Sequence, residues 1–225
     1  MVRRFPAALD DRVAIGGACW VLTVVFFVGQ AVAQAASTAP YSLRGSYISD
    51  LGNTACGPFA LGTYHADVCS PLNGLMNATF VVSGLLSIAG PILTQRAWPS
   101  RRLTAVGLAL LALGGAGEVL VGFRPENVNI GLHGLGAAFG IAGANLGVLL
   151  LGIGVWSARR WTAILSLVVG AVGVVCYLQL GSPPALALGI GLVERLAAYP
   201  LVVWQIAVGA FLLWSAIRSE RSAPT

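Results

Sequence analysis

The stretch Glu118-Val-Leu-Val-Gly-Phe-Arg-Pro-Glu126-Asn-Val-Asn-Ile-Gly-Leu-His133 joins two strongly apolar segments of the chain. It leaves the first segment, turns at Arg124-Pro125-Glu126-Asn127 and enters the second. Proline and asparagine are typical of turns, so the pattern predicts a hairpin of two apolar helices. Two carboxyl groups, an arginine and a histidine in such surroundings need a structural or functional reason.

The composition of the whole chain is that of an integral membrane protein. Hydrophobic residues make up 57% and charged residues 9%, and the mean hydropathy is +0.83, whereas about a quarter of a soluble domain is charged. The 225 residues suffice for one membrane domain, residues 1–225, and leave no room for a separate soluble one. Nucleic-acid binding is not expected, because the arginines are spread between the apolar segments.

Six apolar segments are long enough to cross a bilayer, because about 20 helical residues span its hydrocarbon core. The first segment also resembles a signal peptide, with small-residue sites near Ala33 and Ala35, but its length favours an uncleaved span. The predicted fold is therefore all-α, a polytopic six-transmembrane-helix bundle with a long polar outer loop at residues 36–70. The predicted spans are residues 13–35, 71–93, 103–123, 130–156, 161–180 and 196–217.

The distribution of arginine predicts the orientation. Ten of the thirteen basic residues lie in the N-terminal tail, the second and fourth connections and the C-terminal tail. Because cytoplasmic loops accumulate positive charge, both termini are predicted in the cytoplasm, in a bacterial-type inner membrane. The charged residues and histidines predicted on the outer side are Arg44, Arg124, Arg195, Asp50, Asp67, Glu126, Glu194, His65 and His133.

The cysteines agree with this orientation. Cys56 and Cys69 both lie in the long outer loop, where an oxidising compartment would allow a disulfide. Zinc ligation is the alternative, although two cysteines are few for a zinc site. Cys19 and Cys176 fall within spans and are expected to behave as small apolar residues.

Glu118 is the one acid inside a predicted span. It lies about five residues before the outer end of that span, hence about 7 Å below the interface. An ionisable group at such depth costs about 2.5–3.5 kcal/mol on insertion scales and usually marks a functional site. In a dry cavity desolvation would favour the protonated acid, which would make Glu118 a proton donor. The alternative is a structural pair with Arg124 or Arg195.

Other outer-side residues are weaker candidates. His133 starts the fourth span close to these carboxyl groups and could act as a base. Asn73 and Asn77 are four residues apart and share one helix face, where they could bind a ligand or a neighbouring helix. Glu194 and Arg195 could form a local ion pair that starts the sixth helix, with Tyr199 one turn further on; an interface anchor is the alternative.

Several motifs resemble those of a known family. They are Tyr47-Ile-Ser-Asp50-Leu-Gly, Pro71-Leu-Asn-Gly-Leu-Met-Asn77, Val121-Gly-Phe-Arg-Pro-Glu126-Asn and His133-Gly-Leu-Gly-Ala137. In this order they resemble the uncharacterised DUF998 family of prokaryotic membrane proteins, over approximately residues 10–155. They are also similar to the eukaryotic Frag/DRAM/Sfk family, which is linked to lipid remodelling and membrane-lipid handling.

The resemblance implies six helices whose polar motifs converge at the outer leaflet. This chain departs from the expected pattern at one point, because Arg124 separates Phe123 from Pro125 where a tighter Phe-Pro-Glu is expected. The inference that Glu126 takes part in the site is weaker for that reason.

The hypothesis is an outward-facing intramembrane cavity that takes a lipid-like or isoprenoid molecule from the bilayer and acts on it by acid–base chemistry. Two reactions fit, protonation of an alkene as in a membrane-bound terpene cyclase, and transfer or hydrolysis at a lipid head group. No cofactor or metal site is predicted. The candidate catalytic residues are Asp50, Glu118, Glu126 and His133, and the candidate binding residues are Asn73, Asn77, Phe80, Arg124, Glu194, Arg195 and Tyr199.

Three questions stay open at this point. A non-catalytic lipid-binding or assembly protein, in which the same polar groups hold the helix ends together, is the main alternative to an enzyme. A small transporter is the next. The sequence does not decide whether the chain forms a homo-oligomer.

Overall fold

A computed structural model of the chain describes residues 11–180, 182 and 187–221 and shows a predominantly helical protein. Its α-helices within these residues include α1 (Asp11–Leu22), α2 (Val25–Ala35), α3 (Asn73–Thr94), α4 (Arg102–Phe123), α5 (Ile130–Ala137), α6 (Ala144–Val155), α7 (Arg160–Gln179) and α8 (Ile190–Arg221). The shorter elements are the 3-10 helices Ser49–Gly52 and Gln95–Ala97, the π-helix Ala138–Gly143, and the strands β1 (Gly57–Leu61) and β2 (Tyr64–Val68).

These helices form six segments that are long and apolar enough to cross a membrane, which confirms the all-α six-span fold. The described spans are Asp11–Ala35, Asn73–Ala97, Arg102–Phe123, Ile130–Val155, Arg160–Gln179 and Ile190–Arg218. The largest difference from the predicted boundaries is in the sixth span, which begins at Ile190 instead of residue 196. The apolar run Ile190-Gly-Leu-Val193 continues the helix, so Glu194 and Arg195 lie inside the span.

The spans form a closed ring. Each span packs on its neighbours in the chain, and α8 of the sixth span packs on α1 of the first. Close approach depends on glycine, as between α4 and the fourth span, where a Cβ on Gly117 would lie 2.5 Å from the carbonyl oxygen of Gly136. Small residues allow such packing in membranes, where helices associate through van der Waals contact.

The first span is one membrane crossing but not one continuous helix. The amides of Thr23 and Val24 bond to carbonyls three residues back, at 3.3 and 3.2 Å. The Thr23 hydroxyl donates to the Trp20 carbonyl at 2.7 Å. Such a bond competes with the helical ladder and bends the helix.

The two halves of the bundle differ in packing. The half that adjoins the arginine-rich connections, called the arginine half, contains a core around Trp20, Trp98 and Trp204. The ring centre of Trp20 lies 6.2 Å from that of Trp98 and 5.4 Å from that of Trp204. The opposite half, called the cap half, has a second core around Phe26, Phe80 and Met76.

Residues 36–72 fold over the cap half and are called the cap. The region predicted as a loop contains the antiparallel hairpin β1–β2, with Gly57 paired to Val68 and Leu61 to Tyr64. Its turn uses Gly62 at φ 60°, a conformation that favours glycine. A disulfide joins Cys56 to Cys69 at the base of the hairpin, which confirms that prediction.

Candidate functional site

A cavity lies between the helices in the cap half. It comprises about 700 Å³ of space that no atom occupies, part of it open to the outside. Its walls come from every span except the fifth, and they are mainly apolar. The polar residues that line it are Ser49, Ser87, Glu118, His133, Glu194 and Gln205, and no arginine is among its described lining residues.

Glu118 faces this cavity from α4. The Ser83 hydroxyl of α3 lies near enough to interact with the carboxyl group, although it makes no hydrogen bond. In the part of the chain that the structure describes, Glu118 pairs with neither Arg124 nor Arg195, so the structural pair considered as the alternative is not formed. The side chain of Arg124 is exposed instead. Glu118 therefore borders the cavity, and none of the described arginines neutralises it.

His133 lies in the first turn of α5 and is buried. Its Nδ1 is 2.9 Å from the Arg124 carbonyl oxygen, at the end of α4. Its Nε2 is 2.9 Å from the Ser49 hydroxyl. A carbonyl oxygen can only accept, so Nδ1 carries the hydrogen of the neutral imidazole, and Nε2 accepts from Ser49. The predicted candidate His133 is thus oriented by the backbone and paired with a serine that the motifs did not single out.

Glu194 and Arg195 are both buried in α8 but have different partners. The Glu194 carboxylate accepts a hydrogen bond from the Ile48 amide and lines the cavity. Arg195 instead donates to the carbonyl oxygens of Leu43, Ser46 and Gly191 at 3.0, 2.9 and 2.9 Å, and to the Tyr41 hydroxyl. The hydrogen bonds of the two side chains therefore go to the cap and to the helix backbone instead of to each other, because adjacent helical residues point in different directions.

Asp50 and Glu126 are brought together in the cap half, as the hypothesis required, but neither lines the cavity. Asp50 accepts hydrogen bonds from the Tyr47 amide at 2.9 Å and from the Tyr64 hydroxyl through Oδ2. Its Oδ1 and the Oε1 of Glu126 are buried without a donor. The two carboxyl groups interact with each other.

Burial sets the protonation of this pair. It raises the pKa of Asp50, and it raises the pKa of Glu126 well above the ordinary value, with the negative charge of Asp50 adding to the effect. Two adjacent buried carboxyl groups cannot both ionise at low cost, so a shared proton is the favoured state. Burial also raises the pKa of Tyr64, and the hydrogen bond to Asp50 raises it further. The phenol therefore keeps its proton and remains a donor.

Of the predicted binding residues, only Phe80 and Glu194 line the cavity. Asn73 donates to the Ser70 carbonyl at 2.8 Å and Asn77 to the Gly52 carbonyl at 2.9 Å, so both amides hold the cap on α3. The Tyr199 hydroxyl accepts from Gln30, and its ring centre lies 5.0 Å from that of Phe27. These bonds are structural, as in the helix-packing alternative for the two asparagines, but their acceptors lie in the cap and not in a neighbouring span.

The fourth span contains a π-helix, Ala138–Gly143, which the sequence did not reveal. Gly140 and Ile141 of this segment line the cavity. Asn145, one turn later, donates to the carbonyls of Ile141 and Ala197, both at 2.9 Å. Short π-segments in helices are frequent at functional sites because they re-aim backbone and side chains.

One cavity residue, Gln205, could have been found by the rule that identified Glu118, namely that a polar side chain inside an apolar span needs a reason. Gln205 is a polar residue in an apolar span, and its amide donates to the Ser87 hydroxyl at 3.1 Å. Ser49 carried no such signal, because it belongs to a polar loop and meets His133 only through the fold. Within the described residues no group of three histidine, cysteine or acidic side chains could hold a metal ion.

The profile of the DUF998 family, described as proteins of unknown function, matches residues 21–211. No curated protein and no solved structure matches the chain. The similarity to the Frag/DRAM/Sfk family stays a prediction. Since the match covers most of the sequence, this multi-pass membrane protein belongs to the DUF998 family.

Proposed function

We propose that this protein is an integral membrane enzyme that acts by acid–base chemistry on a neutral lipid-like or isoprenoid molecule held in the cavity. The observation that carries the proposal is Glu118, which lies on the wall of a mainly apolar cavity and has no ion-pair partner among the described residues. An ionisable group inside a membrane is costly and is usually retained for a function.

The lining restricts the chemical class of the substrate. An apolar molecule would replace lipid contacts with contacts to side chains such as Phe26, Phe80 and Leu111. A diphosphate or carboxylate would need cationic partners, and no arginine is among the described lining residues. Both hypothesised reactions, protonation of an alkene by Glu118 and transfer or hydrolysis with His133 as the base, therefore concern a neutral substrate.

The orientation is part of the proposal. The disulfide Cys56–Cys69 lies in the cap, and disulfides persist in oxidising compartments. The cap would then face outward, and the arginine-rich connections and both termini would lie in the cytoplasm. A substrate would enter from the outer leaflet.

A non-catalytic lipid-binding protein is the second candidate. The hydrogen bonds of Asn73, Asn77 and Arg195 to carbonyl oxygens of residues 43–70 hold the cap on the bundle. Polar groups can therefore have a purely structural role in this half of the molecule. The two functions differ in what Glu118 does.

The test combines lipid identification with two matched pairs of variants. We expect purified wild-type protein to carry a neutral lipid identifiable by mass spectrometry. Ala198→Phe fills the cavity and should abolish that occupancy, whereas Ala116→Phe, on an exposed position of α4, should preserve it.

Incubation with the identified lipid then separates the enzyme from the binding protein. One of two variants, Glu118→Gln for alkene protonation or His133→Gln for transfer or hydrolysis, should bind the lipid but lose product formation by at least 100-fold, the scale of one acid–base group. Glu126→Gln, which alters an acid outside the cavity, should retain activity. A lipid bound equally by all variants, or unchanged product formation in both Glu118→Gln and His133→Gln, would overturn the proposal.

A further inference from the structure

We propose that Ser49 and His133 form a nucleophile–base pair that cleaves a neutral lipid ester at the cap end of the cavity. The inference rests on the proposed function and selects one of its two reactions. It adds Ser49, which lies in the quoted motif Tyr47-Ile-Ser-Asp50 but was not among the predicted site residues, and it names the bond that the protein would break.

The first argument is the geometry of the pair. The Ser49 hydroxyl and His133 Nε2 are 2.9 Å apart, and the Arg124 carbonyl, 2.9 Å from Nδ1, orients the ring from the other side. A nucleophile that bonds to a base, with the base oriented by a third group, is the general arrangement of serine hydrolases. Here a backbone carbonyl takes the orienting position.

The second argument is that the structure holds both side chains in place. The residues on either side of Ser49 are anchored, because the Ile48 amide donates to Glu194 and the Asp50 carboxylate accepts from the Tyr47 amide. The turn that carries His133 is held by Asn129, whose side chain accepts from the Leu132 amide at 3.0 Å. Fixed supports of this kind pre-organise a reactive pair.

The third argument is location. Ser49 and His133 both line the cavity, and His133 lies in the first turn of a membrane span. Ester groups of membrane lipids lie at this depth, between the hydrocarbon core and the polar head groups. An ester carbonyl beside Ser49 would direct its apolar chain past Phe80 and Val121 towards the centre of the bundle.

The reaction balances without a metal or redox partner. Ser49 Oγ bonds to the ester carbonyl carbon while its proton passes to His133 Nε2. The bond from that carbon to the alcohol oxygen then breaks, and the alcohol leaves with the proton from Nε2. Water, giving a proton to Nε2, attacks the acyl carbon and releases the carboxylic acid, and Ser49 recovers its proton.

The test uses a long-chain alkyl fluorophosphonate, a neutral reagent that forms a stable adduct with activated serines. Wild-type full-length protein in lipid nanodiscs should acquire one adduct, which peptide mass spectrometry places on Ser49. Ser49→Ala should remove it, and His133→Gln should slow its formation by at least 100-fold. Ser215→Ala, which changes a serine of α8 outside the cavity, should label at the wild-type rate.

Measurements on the wild type protect the test against misfolded variants. Its labelling rate should fall as acid protonates His133, because imidazolium cannot accept the serine proton. Absence of an adduct on Ser49 in the wild type, or labelling that is independent of both pH and His133, would overturn the inference. If neutral lipid still copurifies and Glu118→Gln still blocks its conversion, the proposed function stands and only this inference fails.

Discussion

The arginine half and the cap half of the bundle solve the problem of burying side chains in different ways. In the arginine half, the indole N–H of Trp204 donates to Ser166 at 2.9 Å and that of Trp98 to Thr94 at 3.1 Å. Buried polar atoms without a partner occur in both halves. In the arginine half they include the indole N–H of Trp20 and the hydroxyl of Thr104, whereas in the cap half they include oxygens of two carboxyl groups, Asp50 and Glu126. Unmatched buried polar atoms are few in native proteins and usually need a reason.

The difference indicates that the two halves of the bundle have different roles. Large apolar rings that fill space stabilise one fold, whereas a cavity and a buried pair of carboxyl groups cost stability and are usually retained where function requires them. The arginine half therefore accounts for the integrity of the bundle, and the cap half contains the candidate site. Three perturbations test these roles, in order of the effect expected.

The largest effect on stability should come from the arginine half. Trp204→Ala removes a ring that is 1% exposed, and we expect a loss of about 3–5 kcal/mol in the free energy of unfolding. Phe80→Ala should cost less, because its ring already borders the cavity. Unfolding by SDS in mixed micelles measures both values. A larger loss for Phe80→Ala would contradict the assignment of the stabilising core.

An intermediate effect should come from the disulfide. Cys56 and Cys69 are 13 residues apart, and closing a loop of this size contributes about 3 kcal/mol in the chain-entropy description. The paired variant Cys56→Ser with Cys69→Ser should expose the cap to protease while the spans stay protected. Simultaneous loss of protection in the arginine half would show that the two regions unfold as one unit.

The smallest effect should be the pH dependence set by Asp50 and Glu126. Folding raises the pKa of both groups by burial, so the folded state holds protons more tightly than the unfolded state. The stabilisation is fully present below the ordinary carboxyl range and is lost as pH rises through the raised pKa values. The Tm should fall over that interval in the wild type.

Glu126→Gln is the matched control for this titration, since it keeps the shape of the side chain and removes its charge. Its Tm should depend less on pH than that of the wild type, whereas Asp67→Asn, in the exposed part of the hairpin, should leave the wild-type dependence unchanged. A steeper dependence in Glu126→Gln would contradict the shared-proton interpretation.

Much of the fold followed from local sequence. Hydropathy placed the third span to within one residue and found the helical hairpin around Glu126, because each span satisfies its own backbone hydrogen bonds. The hairpin β1–β2 was not foreseen, since two five-residue strands within a polar segment lack a distinct periodic signal. The break at Thr23 and the π-helix depend on contacts that hydropathy does not describe.

The site was predicted only in part. Glu118 was recognised because an acid inside an apolar span is costly wherever it points. For Asn73, Asn77 and Arg195 the sequence left a binding role and a structural role open. The structure shows that all three bond to the cap, because a polar side chain near a helix end can bond to a loop as readily as to a ligand. The position of Ser49 beside His133 depends on a contact between residues 84 positions apart.

The sequence by itself determined that this is a six-span membrane protein, that Glu118 is an acid within a span close to the helical hairpin, and that Cys56 and Cys69 could pair. These properties depend on burial cost and segment length, which are local. Only the tertiary structure decided which polar groups share a cavity, which hold the cap, and which nitrogen of His133 faces Ser49. Directions and distances between side chains depend on how the spans pack, and no single segment carries that information.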